Sequence, residues 1–153
     1  GFEAEITSNP IPGLNFIIGY AFNNSKLNKV SDAQLTGLRP ETAGPETMIN
    51  YWISYSLQNT SLKGLGFGFG GNYGSENYIF NKNVMVDGAL TGVQTFALPS
   101  YSVVNAALYY DQPKYRLSLK VNNLTDELYF NGGYTTVNVQ SPRTIMGSIS
   151  YKF

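Results

Sequence analysis

PRTIMGSISYKF, residues 142–153, is the stretch that decides the fold. Read at period two, Ile145, Gly147, Ile149, Tyr151 and Phe153 fall on one face, and Thr144, Met146, Ser148, Ser150 and Lys152 on the other. That is the pattern of a half-buried strand. Chain ends usually fray into polar residues. A closing strand of this length with an aromatic at its end therefore points to a membrane barrel.

The same alternation recurs towards the N-terminus, with strands expected over residues 2–7, 14–23, 47–58, 65–73, 101–111 and 115–122. The contrast is sharpest in the sixth, where Tyr115, Leu117, Leu119 and Val121 oppose Arg116, Ser118, Lys120 and Asn122. Several strands approach the ~9–11 residues that cross a membrane and exceed the ~5–6 usual in soluble sheets. The connections alternate. Short turns at 9–13, 59–64 and 112–114 separate long segments at 24–46, 75–98 and 126–141, with local pairing expected around 83–96. Transmembrane barrels combine short turns at one end with long loops at the other and send apolar residues outward.

Composition agrees. Only 13% of the 153 residues are charged and 14% are aromatic, against about 25% charged in a soluble domain. No window reaches the ~18 apolar residues of a spanning helix, so strands must do the crossing. Ten basic and ten acidic residues balance, which leaves no nucleic-acid footprint. Cys and His are both absent, removing thiolate sites, imidazole triads and the commonest metal ligand. No catalytic residue, metal site or cofactor is expected. Gly66, Gly68 and Gly71 satisfy G-x-G-x-x-G, but no helical period follows, as a dinucleotide site requires. The glycines instead mark a strand face that something bulky approaches closely.

The fold class read from these patterns is all-β, an antiparallel transmembrane β-barrel segment of about seven meandering strands. Two other readings fit the alternation: a soluble β-sandwich binding module, and a free-standing eight-stranded barrel with a structural or adhesion role. Bacterial single-chain barrels have even strand numbers with both ends on the periplasmic side. Seven strands therefore imply a hidden eighth or a piece of a larger barrel. The lack of a signal stretch before Gly1 favours the piece, with Phe153 as the true terminus.

SPRTIMGSISYKF (141–153), VNNLTDELYFNGGY (121–134) and FALPSYSVVNAALYY (96–110) resemble the C-terminal barrel of TonB-dependent outer-membrane receptors, especially ferric-siderophore receptors. Residues 1–27 resemble an earlier hairpin of the same barrel. Two positions depart from the family pattern: Asn105 stands where Asp is usual, and Thr125 where Phe is usual. The resemblance implies a plugged barrel of about 22 strands in the bacterial outer membrane, a receptor for TonB-dependent uptake of ferric siderophores. Residues 1–153 would be the C-terminal portion of that barrel, without the plug domain.

The implied partners are the ferric chelate as cargo, outer-membrane lipid, the barrel-assembly machinery, and a plug domain and TonB complex engaged through a missing N-terminal region. Tyr73, Tyr78, Phe80, Tyr129 and Tyr134 are placed near the extracellular mouth as ligand candidates, because aromatic rings suit siderophore faces. Ile149, Tyr151 and Phe153 would form the barrel-assembly signal. Glu5, Trp52, Arg116 and Lys120 are expected to point inward, and Glu3, Glu5, Asp126 and Glu127 to be solvated or plug-facing.

Overall fold

The computed structural model describes residues 1–134 and 136–153. In chain order its strands are β1 (Phe2–Ser8), β2 (Leu14–Phe22), β3 (Thr47–Ser56), β4 (Leu65–Gly74), β5 (Asn77–Val86), β6 (Ala89–Leu98), β7 (Tyr101–Asp111), β8 (Tyr115–Asn122), β9 (Phe130–Gly133), β10 (Thr136–Val139) and β11 (Thr144–Tyr151). Seven of them form one antiparallel sheet in the order β1-β2-β3-β4-β7-β8-β11. These are the seven strands expected from the sequence, with ends shifted by at most two residues.

Register gives the sheet two distinct faces. Ile6 pairs with Ile18, Ile18 with Tyr51, Ile53 with Phe69, Phe69 with Ala106, Leu108 with Leu119, and Leu117 with Ile149. Directly paired residues project to the same side, so one apolar face runs unbroken from β1 to β11. Aromatic pairs border it. Tyr55–Phe67, Tyr110–Tyr115 and Tyr151–Phe153, at 5.9, 6.1 and 5.3 Å, lie towards the short turns. Phe2–Tyr20, at 6.3 Å, lies towards the long connections. Along β4, the six-residue step from Phe67 to Tyr73 spans about 20 Å, close to the ~25 Å apolar band of a membrane barrel.

Among the described residues nothing packs on this face. Ile79, Leu98 and Val103 are the buried apolar residues among those described, while Ile149 is 80% exposed and Ile145 67%. A soluble sandwich would bury such a face under a second sheet, so that reading is corrected. No eighth strand joins the sheet among the described residues, and β1 and β11 are its two edges. The eight-stranded closed barrel is corrected with it.

Two short turns need glycine. Gly13 and Gly64 have φ of +87° and +91°, and a Cβ on either would overlap a carbonyl oxygen of the neighbouring hairpin, at Ser56 and Asp111. The long connections carry more structure than expected. In 75–98, β5 and β6 pair over their whole length rather than around 83–96, closed by Asp87 and Gly88 at φ +53° and +79°. An Asp-Gly pair with both φ positive is the two-residue hairpin turn that matches strand twist. In 126–141, β9 and β10 form a second small hairpin. In 24–46, a 3-10 turn at Ala33–Leu35 is capped by Asp32, whose Oδ1 accepts from the Gln34 N–H at 2.9 Å.

Candidate functional site

The inner face of the sheet is built around β4. Gly66, Gly68, Gly70 and Gly74 all project there, and aromatic rings lie over them: Tyr109 on Gly66, Trp52 on Gly68 and Gly70, Tyr101 on Gly74. The bulky group that the glycine face admits is thus the chain's own aromatic side chains. Tyr109 is held by a 2.9 Å hydrogen bond with the Ser56 hydroxyl, and the Arg116 guanidinium lies 5.1 Å from its ring centroid. The rings fill the space that side chains on β4 would otherwise occupy.

Trp52 points inward, as expected, and divides two hollows. One, of about 290 Å³, is lined by Glu5, Asn50, Asn72 and Asn105. The other, of about 270 Å³, is lined by Ser54, Ala107, Tyr109, Arg116, Ser118 and Lys120. Glu5, Arg116 and Lys120 therefore all reach the inner face. Arg116 pairs with Asp111 at 3.3 Å, both half exposed, so the pair contributes little to stability.

At the long-loop end β5 inverts the usual pattern. Its buried face carries Asn77, Ile79, Asn81 and Asn83, and its other face Tyr78, Phe80 and Lys82. The asparagines hold loops: Asn77 Nδ2 donates to Gly132 O, Asn81 Nδ2 to Arg39 O, and Asn83 Nδ2 to Thr36 O, at 3.3, 3.1 and 2.9 Å. The Asn81 N–H donates to Glu41 Oε1 at 3.0 Å. Between these loops lies a neutral cavity of about 410 Å³, with Asn77, Leu98, Tyr101, Phe130 and Thr136 in its wall.

The five candidate aromatics do not share one place. Tyr73 stands opposite Ile49 and Ser102, on the apolar side of the wall. Its register gives it to the membrane border, apart from the other four. Tyr78 and Phe80 share the outer side of β5, with Lys82 Nζ 5.7 Å from the Phe80 ring centroid. A hydrogen bond to Glu76 and that residue's charge hold the Tyr78 hydroxyl above its ordinary pKa. Tyr129 packs on Tyr101 with centroids 4.9 Å apart, and Tyr134 is 69% exposed. Tyr101 and the β5 asparagines went unpredicted. The N-x-I-x-N-x-N run at 77–83 was the available signal, but it reads as an exposed polar face unless a loop is known to cover it.

The segment after β8 is fixed by Asn123, which is 2% exposed at φ +51°. Its N–H donates to Asn105 Oδ1, its Nδ2 to Glu127 O and Ser141 O, and its Oδ1 accepts from the Glu127 N–H. Asp126 accepts from the Arg143 N–H at 2.7 Å and faces its guanidinium at 3.9 Å. Asp126 is therefore a half-solvated clasp on the residue that precedes β11. Asn105 performs an acceptor's role that an aspartate would perform equally, which accounts for that departure from the family pattern. Among the described residues no group of three or more His, Cys, Asp or Glu could hold a metal ion.

Residues 1–124 match the family described as TonB dependent receptor-like, beta-barrel. The ferrioxamine B receptor of Salmonella typhimurium is 29% identical over 100% of this chain and 21% of its own length. The ferric-pyoverdine M114 receptor of Pseudomonas sp. (strain M114) is 27% identical over 100% of the chain and 18% of its own length. The chain thus spans about a fifth of the length of these curated relatives. A solved siderophore receptor from Acinetobacter baumannii superposes with a TM-score of 0.76 at 22% identity, over 99% of this chain and 21% of that one. At that identity the likeness concerns the fold.

Proposed function

Because the chain belongs to the TonB-dependent receptor-like β-barrel family, we propose that it forms the C-terminal part of the wall of an outer-membrane receptor that imports ferric siderophores with energy passed through TonB. The observation that carries this reading is the unbroken apolar face backed by a polar, glycine-lined inner face. Such a sheet is stable only with lipid on one side and water or protein on the other. The relatives are receptors for ferrioxamine B and ferric pyoverdine, which supports a ferric siderophore as the cargo class. The relatives' greater length supports a plug and TonB-engaging segment elsewhere in the protein.

The test is growth. A strain lacking its own siderophore receptors and supplied with the full-length gene should grow on ferrioxamine B or ferric pyoverdine as sole iron source, and only when TonB is intact. Growth on neither chelate, or growth without TonB, would sink the reading.

Tyr78, Phe80, Tyr129 and Tyr134 are the proposed chelate contacts at the mouth. Changing all four to Ala should weaken chelate binding about tenfold or more, at ~1 kcal/mol or less per aromatic contact. Tyr73→Ala should leave affinity unchanged. Titration of purified full-length receptor decides, and equal effects of the two variants would discard the assignment.

Ile149, Tyr151 and Phe153 are proposed as the signal read by the barrel-assembly machinery, with Phe153 fully exposed beyond the last strand residue and its ring edge-on to Tyr151. Deleting Phe153 should lower the amount of assembled receptor while leaving the affinity of the assembled fraction intact. Unchanged outer-membrane levels would count against it.

A further inference from the structure

We infer that the apolar face of β7, β8 and β11 binds one anionic phospholipid. Its acyl chain lies in a groove of that face, and lysines at the short turns hold its phosphate. This rests on the reading of the apolar face as the membrane face and is independent of the cargo. The groove measures about 480 Å³, with Leu65, Leu108, Leu117, Leu119 and Ile149 in its walls. Gly147 opens it. The row from Leu108 through Leu119 runs on to Gly147, where a side chain is missing and nothing lies within 4 Å of a Cβ.

Tyr110, Tyr115 and Tyr151 border the groove on the short-turn side, Tyr115 being paired with Tyr151 and 6.1 Å from Tyr110. Such rings, apolar with a polar tip, mark the level of the lipid headgroups. Beyond them the wall is basic. The charged residues there are Lys63, Asp111, Lys114, Arg116 and Lys152, and Asp111 is already taken by Arg116 at 3.3 Å. Among the described residues no carboxylate lies within ion-pair distance of the three lysines. Lys114 and Lys152 also stand opposite each other, the Lys152 N–H donating to Lys114 O at 2.8 Å. Like charges across a strand pair repel, and a shared phosphate relieves them.

The occupant is argued from continuity and charge. The groove belongs to the apolar face that runs from β1 to β11, so a hydrocarbon chain fills it without burying a polar group. A headgroup at the level of the tyrosines then meets a net positive rim, and lysine stems run along apolar surface to reach it. A zwitterionic headgroup gains little there, because it carries its own cation. The other end of the wall has the opposite balance. Segments 24–46, 75–98 and 126–141 hold seven acidic and four basic residues, so the anionic lipid is placed at the short turns.

The test is native mass spectrometry of purified full-length receptor in detergent, titrated with dioleoyl phosphatidylglycerol or dioleoyl phosphatidylcholine. Wild type should retain one phosphatidylglycerol about tenfold more tightly than phosphatidylcholine. In the Lys63→Gln/Lys114→Gln/Lys152→Gln variant that preference should vanish. Gly147→Leu, which fills the groove from an open position, should weaken retention of both lipids about tenfold. Equal binding of the two lipids by wild type, a preference that survives the lysine variant, or unchanged retention in Gly147→Leu would each overturn the proposal. Displacement of the lipid by inorganic phosphate would overturn it too, because the site would then read phosphate alone. The heat-modifiable band checks that each variant is folded, and the lysine variant decides alone if Gly147→Leu is not. If wild type binds neither ferrioxamine B nor ferric pyoverdine, the proposed function fails, while lipid retention still decides this site.

Discussion

Gly70→Ala is expected to abolish assembly of the receptor, with the heat-modifiable folded band of the full-length protein falling to about a tenth of wild type or less. A Cβ at Gly70 would overlap the Tyr51 carbonyl oxygen and press on both the ring and the Cα of Trp52. Backbone of the paired strand cannot rotate away, so the cost sits at or above the ~3 kcal/mol upper end of ordinary overpacking. Gly68→Ala is the informative companion, because there the obstacle is only the Trp52 ring. It should be milder, and Trp52→Ala should rescue it. The same Trp52→Ala change should fail to rescue Gly70→Ala, since the Tyr51 carbonyl remains. Rescue of both by Trp52→Ala would show that the ring alone sets the constraint.

Asn123→Ala should destabilise the closing segment by about 3 kcal/mol, from two carbonyls and one N–H left without their side-chain partner at a nearly inaccessible site and from loss of a residue type that tolerates positive φ. The expected readouts are a lower urea midpoint of the receptor in lipid vesicles and proteolytic cleavage within 126–141. Asn123→Gly keeps the backbone conformation and should recover only a minor part. Asn123→Asp keeps the acceptor for the Glu127 N–H but turns a carboxylate oxygen towards the carbonyls of Glu127 and Ser141, and should be about as damaging as Ala. An Ala variant as protease-resistant as wild type would show that Asp126 and Arg143 hold the loop without it.

The seven wall strands were legible because a membrane demands strict period two over each crossing, and residues such as Leu117 and Leu119 against Arg116 and Ser118 display it without interruption. The short turns were legible through Gly13 and Gly64. The loop end was harder to read. Its hairpin buries amides and leaves aromatics partly exposed, so in sequence Asn77, Asn81 and Asn83 present as a wet face and Tyr78 and Phe80 as a dry one, whereas the asparagines are the more deeply buried. The Asp87-Gly88 turn was a readable signal that went unused. The role of the β4 glycines was anticipated in kind, but the identity of the rings above them was not, because Trp52, Tyr101 and Tyr109 arrive from neighbouring strands through a register that only the assembled sheet defines.

The Asn77, Asn81 and Asn83 side chains share one property: their amide nitrogens donate to main-chain carbonyl oxygens, at Gly132, Arg39, Thr36 and Ala33. A grip on main chain is indifferent to the side chains it holds. Apart from Glu41, which accepts from the Asn81 N–H, and Arg39, which donates to Asn23 and Gly44, the tethered loop can change its residues freely while staying docked. It cannot change its length across 33–39 without moving those carbonyls out of reach. The loop docked on β5 is thus free to vary in side-chain chemistry while its contour is held by its main chain.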